Sequence, residues 1–302
     1  MKKVYFFSCL LFLSFFISCK ETKKEETILK GEVAITVDET VLPMMQDQAD
    51  VFQNKYDAKI NLVPKSEAEA LNDLFHLKAS VAVLTRNLTE KEKINFSQKK
   101  IIPKITIFAK DAIAFVGSKS SKDTLVSLSE MIAFLKGVTK VGFKGIVFDN
   151  PNSSTVSFLK NLANIESLPE AGVYSLKSNE EVIKFVAENE GMIGVIGLNW
   201  ISQPSPNMRP YMSGIRTLSV KGLNSSVYVN PNQNNIAEGS YPLVRDLYII
   251  NCQGFSGLGM GFASFIAGDI GQRIILKSGL MPVRVPGRKF NVRNEIENDK
   301  NK

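Results

Sequence analysis

The run Phe148-Asp149-Asn150-Pro151-Asn152-Ser153-Ser154-Thr155 sets one carboxylate, two amides and three consecutive hydroxyls between a strand-like stretch and a helix-like one. In the first turn of a helix the N–H groups lack intrahelical acceptors and the macrodipole is positive. Ser153, Ser154 and Thr155 placed there would offer a tetrahedral oxyanion N–H and O–H donors together. The same residues also suit plain N-capping, which needs only one hydroxyl. Thr40 and Ser66 stand at two further strand-to-helix handovers, and in doubly wound domains such termini can converge.

Other chemistry is weaker. Ser157-Phe158-Leu159-Lys160 fits S-x-x-K, Ser205-Pro206-Asn207 fits S-x-N, and Lys277-Ser278-Gly279 fits a third box with Ser for Thr, together suggesting an acyl-serine enzyme using Ser157, Lys160 and Lys277. Ser97-Gln98-Lys99-Lys100 matches the first box equally well, so the pattern arises cheaply. Gly257-Leu258-Gly259-Met260-Gly261 has the spacing G-x-G-x-G, and Asp269 comes too early to hold a ribose, which favours a close-packed strand-to-helix turn over a dinucleotide loop. One histidine and three cysteines exclude most zinc sites, Ser-His-Asp triads and Cys-His pairs. His76 is placed to cap the last carbonyls of a helix, and Trp200 to pack. No cofactor and no enzyme activity are expected, because holding an anion with hydroxyls, helix termini and a guanidinium needs no general base.

The elements that would position these residues alternate. Val33–Val37 reads as a buried strand, and Leu42, Met45, Ala49, Phe52 and Tyr56 follow at helical spacing. Lys59–Val63 and Ser80–Leu84 are strands around a helix capped by Ser66 with Glu69, and Thr89 with Glu92 repeats that capping box. Ile105–Val116 is a long apolar run broken by Lys110-Asp111, better suited to crossing between two domains than to one buried strand. Beyond it come helix 128–135, strand 145–148, helix 153–162, helix 179–188, strand 192–196, a second crossing around Leu247–Ile250, and a helix from Phe262 to Leu276. This order predicts α/β architecture: two doubly wound βα domains with a cleft beyond the strand carboxyl ends. The length of 302 residues, at about 150 per domain, agrees.

Composition describes a folded body, with 44% apolar and 22% charged residues and a mean hydropathy of −0.01. The net charge of +7 leaves nucleic acid, phosphate-like ligands and anionic lipid open when taken alone. Lys2 and Lys3 precede an apolar run from Val4 to Ser18 that ends at Cys19, which reads as a signal peptide (1–18). Phe15-Phe16-Ile17-Ser18-Cys19 resembles a bacterial lipobox, with Phe16 in place of the usual Leu, so Cys19 would carry lipid and residues 19–31 would form a tether. Losing Lys2 and Lys3 takes the charge from +7 to +5. The polar tail 291–302 lacks apolar periodicity and is expected to be disordered.

From about Glu32 to Arg288 the chain resembles the phosphate-binding PstS-type members of the periplasmic binding protein superfamily. The features that carry the resemblance are Asp38-Glu39-Thr40 with Pro43, Thr85-Arg86-Asn87-Leu88-Thr89, Lys110-Asp111-Ala112-Ile113-Ala114, Asn152-Ser153-Ser154-Thr155 for the family's Ser-Gly-Thr, Gly191-Met192-Ile193-Gly194, Tyr241-Pro242-Leu243-Val244-Arg245, and Gly271-Gln272-Arg273 through Gly279-Leu280-Met281-Pro282. The resemblance implies a type II binding-protein fold with two crossover strands, domain I at 32–109 and 246–290, and domain II at 110–245. It implies ligand binding by Thr40, Val41, Ser66, Ser153, Ser154 and Thr155. Where the family has an arginine four residues before the serine this chain has Asp149, and the loop after the third strand has Arg86 in place of an aspartate. A swapped pair would keep a charge-assisted partnership and make Arg86 the anion's bidentate partner, whereas Arg86 in a structural salt bridge is the alternative. The implied function is capture of an oxyanion, inorganic phosphate first, for an ABC-type permease, with a membrane anchor through lipid and no nucleic-acid partner. A surface lipoprotein using the same fold for sensing, adhesion or assembly is the second expectation.

Overall fold

The structure is a computed structural model that describes residues 26–122, 124–138 and 141–287. The expected signal peptide, Cys19, the tether before Glu26 and the polar tail lie outside the described residues. Strands β1 (Gly31–Asp38), β2 (Ala58–Lys65) and β3 (Val81–Leu84) are parallel, with β1 in the middle. Helix α1 (Leu42–Lys55) connects β1 to β2 and turns Met45, Ala49 and Phe52 inward at the spacing read from the sequence. Helices α2 (Glu67–Phe75) and α3 (Glu90–Gln98) each start in a complete capping box, Ser66 with Glu69 and Thr89 with Glu92. Nδ1 of His76 lies 2.9 Å from the Asn72 carbonyl at the end of α2, the capping role expected of it.

The crossing strand is β4 (Lys104–Ser118). Beyond it come β5 (Leu125–Ser127), α4 (Leu128–Leu135), β6 (Gly145–Phe148), α5 (Ser154–Ala163), β7 (Val173–Ser175), α6 (Asn179–Glu188) and β8 (Met192–Gly197). Short pieces follow: α7 (Asn199–Ser202), α8 (Arg209–Met212), β9 (Ile215–Thr217), β10 (Ser219–Lys221), β11 (Tyr228–Val229) and α9 (Gln233–Ala237). The chain closes through β12 (Val244–Asn251), α10 (Leu258–Ala267), α11 (Asp269–Lys277) and β13 (Met281–Pro282).

The large sheet runs β2-β1-β3-β12-β4-β8-β6-β7, with β9 and β13 also on β4. β4 belongs to both halves of it. Residues 104–112 pair antiparallel with β12, and from Ile113 onward the partners are β8 and β9. The Tyr241 hydroxyl donates to the Ile113 carbonyl at 2.7 Å, where β4 changes partners. The apolar interior is one cluster that passes from Ile35 and Phe52 through Phe115 to Phe148 and Val182, with a smaller one around Leu74, Leu84 and Phe96.

The single helix expected from Phe262 to Leu276 is instead two, α10 and α11, separated by extended Gly268. A continuous amphipathic stripe hid the break. α10 also begins four residues early, since Gly261 lets it close on the N-terminal segment: a Cβ there would stand 1.6 Å from the Ile28 carbonyl oxygen.

Candidate functional site

At the carboxyl end of β1 the chain makes one 3-10 turn, Glu39–Val41, capped by the Asp38 side chain. Asp38 Oδ1 accepts from the Thr40 amide at 3.0 Å and from its hydroxyl at 2.7 Å, which fixes the Thr40 side chain. At the carboxyl end of β6, Ser153 caps α5 by accepting from the Val156 amide at 3.4 Å. Ser154 and Thr155 then occupy the first turn of α5, both buried. Thr155 Oγ1 lies 2.9 Å from Ser153 Oγ and donates to Asp149 Oδ1 at 3.2 Å. The two halves of the sheet meet here: Thr40 Oγ1 and Ser154 Oγ are 3.2 Å apart.

The guanidinium among these hydroxyls is Arg245, on β12. Arg245 and Asp111 face each other in the β12–β4 ladder, so their side chains leave the same face of the sheet. Nε and Nη2 donate to Asp111 Oδ2 at 3.0 and 2.8 Å. The remaining donors reach Thr40 Oγ1 at 2.8 Å, Ser154 Oγ at 2.8 Å and Thr85 Oγ1 at 3.4 Å. Arg245 thus gathers hydroxyls from the ends of β1, β3 and β6 onto one buried cation.

Of the residues expected at a site, Thr40, Ser153, Ser154, Thr155 and Asp149 come together. Val41 is fully buried at the start of α1. Ser66 is committed to its own cap, donating through Oγ to Glu69 at 2.6 Å. Arg86 takes the structural alternative: it donates to Glu67 at 3.1 Å, to both Glu92 oxygens at 2.9 Å and to the Asn87 carbonyl. The imagined exchange with Asp149 is not made, since Asp149 pairs with Thr155 and, at 3.2 Å, with the Asn179 side-chain amide. Sequence reasoning missed Arg245, Asp111, Asp38, Thr85, Asn179 and Glu39 as members of the cluster. The available signal was that each crossing strand carries one acid and one base at adjacent positions. Paired antiparallel, these give Lys110–Asp246 at 2.6 Å on the outer face and Asp111–Arg245 on the buried one.

Carboxylates dominate the electrostatics. Burial pushes the Asp111 carboxyl up from its ordinary range even with Arg245 pulling it down. Burial also raises Asp149, against the Ser153 and Thr155 hydroxyls, and Glu67. Glu39 is pushed up to about 8, first by burial and then by Asp149. The Glu39–Val41 turn is held against the other half of the sheet by Asn199, whose amide donates to the Thr40 carbonyl at 2.6 Å, and by Trp200 Nε1, which donates to the Glu39 carbonyl at 3.2 Å. Ser157 and Lys160 lie on α5 while Lys277 is exposed at the end of α11, and no hydrogen bond among the described residues joins them.

Residues 22–269 match the family described as PBP superfamily domain. The phosphate-binding protein PstS of Borreliella burgdorferi is 27% identical, covering 94% of this chain and 100% of that protein. A substrate-binding protein with bound phosphate from Clostridium perfringens superposes with a TM-score of 0.69 at 18% identity, over 84% of this chain and 100% of that one. An ABC-type phosphate transport receptor from Vibrio cholerae gives 0.62 at 16% identity, over 83% of this chain and all of the other. These structural likenesses concern the fold. The family match spans most of the sequence and takes in β1 through α10, so the chain belongs to the PBP superfamily.

Proposed function

We propose that this protein binds inorganic phosphate between the two halves of its sheet and hands it to an ABC-type permease. The observation that carries the reading is Arg245: one buried guanidinium bonded to Thr40, Thr85 and Ser154, beside the first turn of α5 and on a strand next to the shared β4. Phosphate oxygens entering this cluster replace hydroxyl–guanidinium bonds with charge-assisted ones, and take up the first-turn N–H groups of α5. The names of the Borreliella, Clostridium and Vibrio proteins point the same way. So does the ring of acids. A carboxylate such as Asp149 repels a bare anion but accepts a hydrogen bond from an oxyanion that still carries a proton, as phosphate does near neutral pH and sulfate does not. Binding without covalent change is supported by the same names, which are those of binding proteins and a transport receptor.

In this reading, 32–109 with 246–290 forms one lobe and 110–245 the other, and they close by hinge motion about β4 and the segment leading into β12. Cys19 carries a lipid that holds the body at a membrane. Lipid labelling of wild type against Cys19→Ala checks the anchor. The ligand is checked by thermal unfolding of the body from Glu26 onward with phosphate, arsenate, sulfate and molybdate. Phosphate at a hundred times its Kd adds about 2.7 kcal/mol, with sulfate far behind. No stabilisation by millimolar phosphate removes the ligand assignment.

A further inference from the structure

Asn179 opens α6, is fully buried, and stands where the two halves of the sheet meet. Its side-chain amide donates to Asp149 Oδ2 at 3.2 Å and also to Glu39 Oε2, while its backbone N–H donates to Glu39 Oε1 at 3.3 Å. Two carboxylates, one from the turn after β1 and one from the end of β6, therefore converge on a single asparagine. Neither makes an ion pair among the described residues. The groups around Glu39 are Asp38 on its own turn, Asp149 and Asn179 from the other half, and Trp200 on its carbonyl. Glu180, next along α6, is occupied by Ser205 at 3.2 Å. Arg245 reaches this corner only through Thr40 and Ser154. Thr155 also donates to Asp149, at 3.2 Å, but these donors are neutral, and two buried carboxylates sharing one asparagine with no cation paired to either do not both stay ionised.

We propose that Asn179 is a positioning residue that latches the two halves together through Glu39 and Asp149 only while that pair holds a proton, so that closure over phosphate takes up about one proton near neutral pH. The proposal rests on the hinge-closing reading above and adds what sets its pH range. The sign follows from Glu39. Its carboxyl is pushed up from the ordinary 4.5 to about 8 here, where the two halves of the sheet meet, first by burial and then by Asp149. Between those values the closed form binds a proton that the open form lacks, so closure weakens as pH rises and is lost above about 8.

Trp200 is the only tryptophan in the chain, and its bond to the Glu39 carbonyl makes its fluorescence a reporter of the latch. The test compares wild type, Glu39→Gln and Asn179→Ala in the body from Glu26 onward. Phosphate titration calorimetry in buffers of different ionisation enthalpy counts protons, and Trp200 fluorescence is followed from pH 5.5 to 9.5. Gln mimics the protonated carboxyl. Wild type therefore takes up about one proton more per phosphate than Glu39→Gln at pH 7, and its affinity falls about tenfold more per pH unit between roughly pH 5.5 and 7.5. Asn179→Ala weakens binding about tenfold or more at pH 6 and loses the alkaline Trp200 transition. Equal proton uptake and parallel pH slopes in wild type and Glu39→Gln overturn the latch while leaving phosphate binding in place. If phosphate does not bind at all, the ligand reading fails separately. The latch then stands on a ligand-free Trp200 transition near pH 8 that Glu39→Gln removes, and falls if wild type shows none.

Discussion

Two arginines divide the site from its scaffold. Arg86 has two carboxylate partners and a backbone carbonyl, and Arg245 has one carboxylate and three hydroxyls drawn from separate strand ends. A cation surrounded by exchangeable hydroxyls can accept a new anion, whereas one locked between acids cannot without breaking them. Arg245→Lys keeps the charge beside Asp111 but loses the fork, and its phosphate Kd rises at least about tenfold, equivalent to one charged hydrogen bond; isothermal calorimetry reads this. Arg86→Ala leaves the phosphate-induced thermal shift in place and lowers unfolding stability by about 1–3 kcal/mol, because Glu67 loses a buried partner. The hydroxyl half of the site was legible because Ser153, Ser154 and Thr155 are contiguous. The guanidinium was not: Arg245 and Asp111 are separated by most of the second half of the sheet, and only the β12–β4 register brings them face to face.

Local capping and long-range contact behave differently at the scale of elements. The boxes that start α2 and α3 involve residues three apart, so a one-dimensional pattern contains all of their physics. The second helix after the break between α10 and α11 is bound by residues far away in sequence: Gln48 Nε2 donates to the Gly271 carbonyl at 2.8 Å, and Gln272 Nε2 to the Phe108 carbonyl at 2.9 Å. Gly197, at the end of β8, is a similar case with a functional edge. A Cβ there would stand 2.3 Å from the Thr40 carbonyl oxygen, so the glycine lets the Glu39–Val41 turn seat against β8. Gly197→Ala pushes that turn away, and phosphate affinity falls more steeply than denaturant stability; comparing calorimetry with urea unfolding separates the two. Ser153→Ala removes the cap of α5 and costs about 1 kcal/mol by the same unfolding measurement.

For the whole molecule, the alternation of strands and helices was enough to place two βα units around a crossing strand, since periodicity and short loops constrain topology strongly. How the units touch was not readable, because it depends on single contacts such as Asn199 with Thr40 and Gln203 with Asp47, at 2.6 and 2.8 Å. If phosphate closes the halves, hydrogen exchange slows together at residues 39–41 and 153–156, and protection of only one of these segments argues against closure. The N-terminal segment adds a geometric consequence. Glu26 accepts from the Leu258 amide at 2.7 Å and from Gln253 at 3.0 Å, and β1 then runs eight residues from Gly31 to Asp38, about 25 Å at ordinary strand rise. Glu26 is therefore held at the end of the sheet remote from Thr40, about a strand's length from the hydroxyls that Arg245 gathers.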